Sequence, residues 1–378
     1  MPSSSRLVNL LAAACVLLLV AGVLFALARP SRGTLQRVAV AARPRSAAPT
    51  TSTARTATTA APTTRATMPV ATTVTATTIA ATTTTAAAPE PDAAHRAAVA
   101  TASFVFVDNS RATPAAGADP GSASRTLPTL VRYPADGPDT GTEVAGVAGR
   151  HTTHPFPLVV FASGYDSSPA VYATLLHSWA SAGYVVAAPS FPRATSGGPL
   201  NEDDVNNQPL DLSFVITNVV ALAAPGGPLA GLVDTAHVGV AGHSDGASTT
   251  AGIGYNSCCR DGRVSADAVM EGDLHNFPGG HWFPAGAGKP LLVIQGDHDA
   301  LNPPVLGEAV YAGARSPKYL LGLVNGQHLE PYTTDVAHLA VVEAVTTAFF
   351  DRYLKGRADG VAAMHKGTTP GLATLTAG

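Results

Sequence analysis

The chain has 378 residues, carries a formal net charge of −3 at pH 7, and only 13% of its residues are charged. Proteins that bind nucleic acid carry basic patches, so this balance gives no electrostatic reason to expect a nucleic-acid partner. The three cysteines, Cys15, Cys258 and Cys259, do not have the spacing of zinc ligands, and we expect neither a metal nor another cofactor. Adjacent Cys258 and Cys259 leave two interpretations open, a strained bridge or two packed thiols.

An apolar run opens the chain. Residues 7–28 are long enough to cross a bilayer, and Ala26-Leu27-Ala28 is also a candidate cleavage site. Segment 1–29 is therefore predicted to be a signal peptide or a membrane anchor. The arginines that follow the run favour the cytoplasmic side, which conflicts with export.

A long stretch rich in Thr and Ala, with scattered Pro, follows the apolar run. This composition has little to bury and is typical of a disordered linker or a glycosylated stalk, so residues 30–98 are predicted to be a linker. A stalk between an anchor and a domain makes sense outside the cell. We therefore expect an extracellular protein, either secreted or anchored to the cell membrane through residues 7–28.

Strands and helices alternate through residues 99–356, and the tail 357–378 shows little pattern. Strands are predicted at 103–107, 126–133, 157–163, 184–188, 238–241, 266–270, 290–295 and 319–324. Helices are predicted at 169–182, 211–224, from about Ala247, at 304–314 and at 335–354. This alternation predicts one α/β domain whose central sheet is mostly parallel and covered by helices on both faces, without a large cap domain.

A sharp turn follows the strand at 238–241. Gly242-His243-Ser244-Asp245-Gly246 fits the pattern G-x-S-x-G, and a helix can begin directly after it. In the order strand, turn, helix, the serine sits on a strained turn and its hydroxyl projects from the end of the sheet. A Gly/Ser surface turn is the alternative interpretation. Ser244 is thus a candidate nucleophile.

Two further polar residues, Asp299 and His328, each follow a predicted strand, as Ser244 does. The carboxyl ends of parallel strands lie at one edge of a sheet, so the three side chains are expected at the same edge. A serine hydroxyl needs a base, and a neutral histidine needs an acid to fix its tautomer. The order of serine, acid and histidine along the chain is that of the α/β-hydrolases. Weaker candidates stay open: Asp297 and Asp273 for the acid, His281 and His338 for the base.

A tetrahedral intermediate at Ser244 needs two hydrogen-bond donors. We expect the main-chain amides of Tyr165 and Asp245 to provide them, with the Asp245 side chain turned outward. Four rings are predicted either to line the acyl pocket or to serve as ordinary packing: His243, Phe277, Trp282 and Phe283.

Four motifs resemble the α/β-hydrolase superfamily: Phe161-Ala162-Ser163-Gly164-Tyr165, Gly242-His243-Ser244-Asp245-Gly246, Gly296-x-x-Asp299 and Gly326-Gln327-His328. Within it, the chain is similar to the lidless serine esterases grouped around dienelactone hydrolases, platelet-activating-factor acetylhydrolases, chlorophyllases and cutinase-like polyesterases. The resemblance implies a carboxylester hydrolase that acts on small or polymeric esters through Ser244, Asp299 and His328. Two alternatives stay open: a catalytically silent surface binding module, and an amidase or peptidase with the same fold.

Overall fold

The computed structural model describes residues 96–286 and 288–378. The predicted signal peptide or anchor and nearly all of the predicted linker lie outside these residues. The first strand begins at Ala97, two residues before the domain boundary expected at residue 99. Among the described helices, none is both long enough and apolar enough to span a bilayer.

The described residues form ten strands, which join into one sheet in the order β10-β9-β8-β7-β6-β4-β5-β2-β1-β3. Their bounds are β1 (Ala97–Asp108), β2 (Arg125–Pro138), β3 (Glu143–Ala145), β4 (Phe156–Ala162), β5 (Val185–Pro189), β6 (Val233–His243), β7 (Val264–Met270), β8 (Leu291–Gly296), β9 (Lys318–Leu323) and β10 (Ala373–Ala377).

The central strands β4 to β9 are mutually parallel. On one side β2 runs antiparallel to both of its neighbours, β5 and β1, and on the other β10 runs antiparallel to β9. Strands buried on both faces read as apolar runs, and the segments from Leu158 to Ala162 and from Leu291 to Ile294 are fully buried. The predicted mostly parallel sheet is confirmed.

Six α-helices cover the sheet within the described residues: α1 (Ala173–Ser181), α2 (Gln208–Leu222), α3 (Asp245–Tyr255), α4 (Pro304–Gly313), α5 (Val336–Leu354) and α6 (Gly360–Gly367). One core layer contains Trp179 of α1 and Phe349 of α5. Helices α2, α3 and α4 pack on the opposite face through residues such as Val215, Ala251 and Val310. Helices therefore lie on both faces, as predicted.

The structure corrects the sequence prediction at two places. Residues 357–378, predicted to be a tail, form α6 and the edge strand β10, and Met364 of α6 is fully buried. The strand escaped prediction because its sequence, Ala-Thr-Leu-Thr-Ala, is short and only weakly apolar. The helix expected over 169–182 begins instead as a 3-10 turn at Pro169–Tyr172, followed by α1.

A buried ion cluster fixes the connection that precedes α2. The guanidinium of Arg125 is fully buried and donates to both carboxylate oxygens of Asp204 and of Asp211, at 2.6–2.9 Å. The two carboxylates raise the pKa of Arg125 even though its burial acts in the opposite direction. We refer to these three residues as the Arg125 cluster. Cys258 and Cys259 are joined by a disulfide, so of the two states left open by the sequence the structure has the bridge.

Candidate active site

Ser244 stands alone between β6 and α3, in the turn that the sequence predicts. Its backbone has φ 57° and ψ −126°, a strained conformation for a residue with a side chain. The turn closes tightly because both flanking residues are glycines. A Cβ added to Gly242 would lie 2.1 Å from the carbonyl oxygen of Gly246, and one added to Gly246 would lie 2.1 Å from that of Ala162. Only glycine fits at either position.

A line of hydrogen bonds joins Asp299, His328 and Ser244. Asp299 Oδ2 lies 2.6 Å from His328 Nδ1, and His328 Nε2 lies 3.0 Å from Ser244 Oγ. An ionised carboxylate can only accept, so Nδ1 carries the imidazole proton and Nε2 accepts from the serine hydroxyl. The structure thus brings together the three side chains that follow β6, β8 and β9.

The carboxylate of Asp299 is held by further donors. Its Oδ1 accepts hydrogen bonds from the amides of Leu301 and Asn302, at 2.8 and 2.9 Å. Burial would raise the pKa of Asp299, but the hydrogen bonds from His328 and the Asn302 amide outweigh burial and lower it. Asp299 is therefore charged and fixed in orientation opposite His328.

The weaker candidates lie elsewhere in the described structure. Asp297 Oδ1 accepts from the amide of Asn325 and contacts its neighbour His298, and Asp273 Oδ1 accepts from Ser248 Oγ of α3. His281 is exposed, with its main chain bonded to Ser257. His338 is buried, with contacts to Asp335 and to the carbonyl of Val324. These contacts belong to turns and helix ends rather than to Ser244.

The loop after β4 lies directly against the serine. A Cβ added to Gly164 would be 3.1 Å from Cβ of Ser244, which places the next residue, Tyr165, beside the turn. Within the described residues, neither the amide of Tyr165 nor that of Asp245 donates a hydrogen bond to a protein acceptor. These are the two amides that the sequence predicts as donors.

The side chain of Asp245 does not turn outward, contrary to expectation. Its Oδ2 is buried and has no hydrogen-bond partner among the described residues. Burial, together with the charges of Glu202 and Asp273, raises the pKa of Asp245 to about 6. The helix N-terminus favours a carboxylate at this position, but the sequence does not show how closely Glu202 and Asp273 approach it.

His243 occupies a packed position, one of the two predicted for it. Rather than facing an open pocket, it is buried, with Nδ1 2.8 Å from Tyr172 Oη and Nε2 2.6 Å from the carbonyl oxygen of His328. The carbonyl can only accept, so Nε2 carries the proton and Nδ1 accepts from the tyrosine. Burial lowers the pKa of His243 to about 3, which keeps this ring neutral. His243 therefore holds the main chain of the His328 loop.

The aromatic residues predicted for the pocket pack in a row along α3. Trp282 lies between Phe277 and Phe283, with ring centroids 5.9 Å apart on each side, and Phe283 also contacts Tyr255. Phe277 is buried against Gly252 of α3. In the described contacts these rings touch one another and α3, and none touches Ser244 or His328. Their role in binding stays a prediction.

Sequence reasoning gave no role to Glu271, Tyr172 or Tyr332, which surround the line of hydrogen bonds. Tyr332 Oη donates to Glu271 Oε1 at 2.7 Å, and its ring packs 4.9 Å from that of His243. The only signal in the sequence was the position of Glu271 directly after β7, at the same edge as Ser244. No group of His, Cys, Asp and Glu in the described part of the chain could hold a metal ion.

Comparison with known proteins identifies the fold. No model of a known protein family matches the chain, and no curated protein matches it. Among the solved structures that do match is a ferulic acid esterase from Streptomyces cinnamoneus, with 24% sequence identity and a TM-score of 0.55. The match covers 70% of this chain and 92% of that one. Together with the mostly parallel sheet, this likeness shows the α/β-hydrolase fold that the sequence predicts.

Proposed function

We propose that the protein is a serine carboxylester hydrolase with Ser244 as the nucleophile, His328 as the general base and Asp299 as the acid that orients His328. The observation that carries this proposal is the continuous line of hydrogen bonds from Asp299 through His328 to a serine on a strained turn. A serine hydroxyl is a weak nucleophile, and a neutral imidazole within hydrogen-bond reach is what activates it.

The proposed reaction has two halves. Ser244 Oγ attacks the ester carbonyl carbon while its proton moves to His328 Nε2, and Asp299 stabilises the imidazolium that forms. The amides of Tyr165 and Asp245 donate to the oxyanion of the tetrahedral intermediate. The alcohol leaves with the proton from His328, and the acyl group stays on Ser244. Water, deprotonated by His328, then attacks the acyl-enzyme and releases the acid.

The ester class follows less directly from the geometry. One of the solved structures with the same fold is that of a ferulic acid esterase, so methyl ferulate belongs in a substrate panel beside p-nitrophenyl esters of increasing acyl length. Matching p-nitroanilides in the same panel separate an esterase from an amidase or peptidase. We expect turnover of esters well above that of anilides.

Replacement of Ser244 by Ala tests the proposal. We expect kcat for p-nitrophenyl esters to fall on the order of 10⁶-fold, since the serine, the histidine and the acid act as one unit. Ser248→Ala is the matched control, because Ser248 lies one helical turn further along α3 and its hydroxyl donates to Asp273 at 2.5 Å, with only a 3.4 Å contact to the main-chain carbonyl of Ser244. Turnover by Ser244→Ala within about tenfold of the parent would contradict the proposal. A folded parent that hydrolyses nothing would favour a silent binding module.

We also propose that the protein acts outside the cell, either secreted or held at the membrane by residues 7–28. The supporting observation is the sequence alone: an apolar run followed by a Thr/Ala-rich stretch. N-terminal sequencing of the mature protein, combined with cell fractionation, tests this proposal. A full-length chain in the cytoplasm would contradict it.

A further inference from the structure

Glu271 is a buried carboxyl group directly behind Asp299. It follows β7 with a left-handed backbone, φ 53°, and is fully buried. Its Oε1 accepts from the amide of Gly296 at 2.7 Å and from Tyr332 Oη at 2.7 Å. Its Oε2 contacts Gln295 Nε2. The carboxyl therefore links the end of β8 to the segment that carries His328.

Asn302 ties the two acidic residues together, because its amide donates to Asp299 Oδ1 and its side-chain Nδ2 donates to the main-chain carbonyl of Glu271. At this separation the two carboxyl groups influence each other's pKa in the manner of a hydrogen-bonded pair. Two carboxyl groups share a hydrogen bond only when one of them keeps its proton. Both carboxyl groups accept hydrogen bonds on both oxygens, but only Asp299 faces a group that can carry a positive charge, the imidazole of His328. In the described structure no Lys or Arg forms an ion pair with Glu271. The proton therefore belongs on Glu271.

Electrostatics agree with this assignment. Burial, followed by the hydrogen bond to Asp299, raises the pKa of Glu271 to about 10, although the hydrogen bonds from Tyr332 and Gly296 oppose the increase. A buried carboxylic acid kept neutral in this way can serve as a hydrogen-bond donor at neutral pH.

We propose that Glu271 is a positioning residue of the candidate site: a neutral carboxylic acid that donates a hydrogen bond to Asp299 and moderates the charge facing His328. This inference rests on the proposed function, because it assigns Glu271 a role through Asp299. A donor to Asp299 spreads the negative charge that stabilises a protonated His328, so the imidazole gives up its proton more readily and acts as a base at lower pH.

The pH dependence of kcat/KM tests this role. Glu271→Gln keeps the size and an N–H donor, whereas Glu271→Leu removes the donor. Besides Asp299, the titratable groups next to His328 are His243 and Asp245, and both are unchanged in these variants. Tyr332, the other titratable group that contacts Glu271, is also unchanged. We expect the acid limb of Glu271→Leu to move upward by about 0.5–1 pH unit and that of Glu271→Gln to stay in place.

The direction of the movement decides between interpretations. A downward movement in Glu271→Leu means that Glu271 is charged in the parent, and an unmoved limb means that its role is only structural; either result overturns the inference. Val269→Ala, a buried change on β7 without contact to Asp299, controls for general loosening and should leave the limb in place.

Infrared spectroscopy gives a readout that does not depend on activity or on the folding of the Leu variant. The difference spectrum between the parent and Glu271→Gln at pH 7 should contain the carbonyl band of a protonated carboxylic acid. A carboxylate band instead overturns the inference. If the parent neither hydrolyses esters nor reacts at Ser244, the proposed function fails, whereas the infrared result still decides the protonation of Glu271.

Discussion

Two regions of the molecule bury carboxyl groups, and they do so in opposite ways. In the Arg125 cluster, Asp204 and Asp211 share one fully buried guanidinium, and Asp211 also pairs with Arg111, so each carboxylate has a cationic partner. On and directly after β7, Asp267 and Glu271, which we call the β7 carboxyls, are equally buried without an ion pair to Lys or Arg in the described structure. Burial raises the pKa of both β7 carboxyls.

Buried acids therefore have two different roles in this protein, one as ion-paired carboxylates and one as protonated carboxyl groups. The ion-paired cluster fixes the backbone, here the connection that leads into α2, and Arg125 and Arg111 oppose the rise that burial causes in the pKa of Asp211. A carboxyl without a cation keeps its proton instead, since the isolated charge is too costly in a low-dielectric interior. Such a group makes stability depend on pH, and Glu271 gains from it the proton that it donates to Asp299.

Breaking the Arg125 cluster should have the largest effect on stability. Arg125→Met leaves Asp204 buried without its cation and Asp211 with Arg111 alone, and is expected to lower the free energy of unfolding by about 3–5 kcal/mol, measured by urea denaturation. Arg263→Met removes a partly exposed arginine from its ion pair with Asp261 and is the matched control, with a clearly smaller loss. An equal loss of unfolding free energy in both variants would show that the buried cluster is no more important for stability than a partly exposed ion pair.

Replacement of Asp267 should have the opposite effect and raise the free energy of unfolding, because it removes a buried carboxyl group that lacks hydrogen-bond partners in the described structure. Neither of its oxygens has a well-formed hydrogen bond in the described structure, and the nearby Thr250 hydroxyl already donates to Ala247. The native state retains a proton that the unfolded state loses above the ordinary pKa of 3.8. The contribution of Asp267 to stability therefore falls as pH rises above about 4.

The substitution Asp267→Asn removes this titration. We expect it to raise the free energy of unfolding by about 1–3 kcal/mol at pH 8 and to have little effect at pH 4. Urea denaturation at both pH values measures the difference, and exposed Asp136→Asn is the control. An identical effect of Asp267→Asn at the two pH values would show that Asp267 is ionised in the folded protein.

The buried His243 tests whether a neutral polar group beside the candidate site also supports activity. His243→Phe removes the donor to the His328 carbonyl and should lower kcat/KM for esters by about tenfold, with a well-folded protein by circular dichroism. Tyr172→Phe removes only the partner of Nδ1 and should cost less activity. Wild-type activity in His243→Phe would contradict the role assigned to His243, that of holding the His328 loop.

Much of the framework could be predicted from the sequence because the central strands are apolar on both faces. The segments predicted at 157–163 and 290–295 differ from β4 and β8 by one residue at each end. The convergence of Ser244, Asp299 and His328 was predictable because each lies in the turn or loop that follows a parallel strand. The edge strand β10 was not, since a weakly apolar five-residue segment becomes a strand only through pairing with β9.

The protonation and orientation of buried polar groups could not be predicted either. His243 and Glu271 are next to motifs that the sequence displays, but their roles depend on which carbonyl or carboxyl lies within about 3 Å in the folded chain. The outward turn expected for Asp245 failed for the same reason.

The central claim is that His328, held by Asp299, activates Ser244. Labelling of the protein with a fluorophosphonate, followed by mass spectrometry of its peptides, tests this claim most directly. We predict one probe per chain, attached to Ser244, with labelling that is lost in His328→Phe. A folded parent that stays unlabelled at Ser244, or a His328→Phe variant labelled at the parental rate, would contradict the claim.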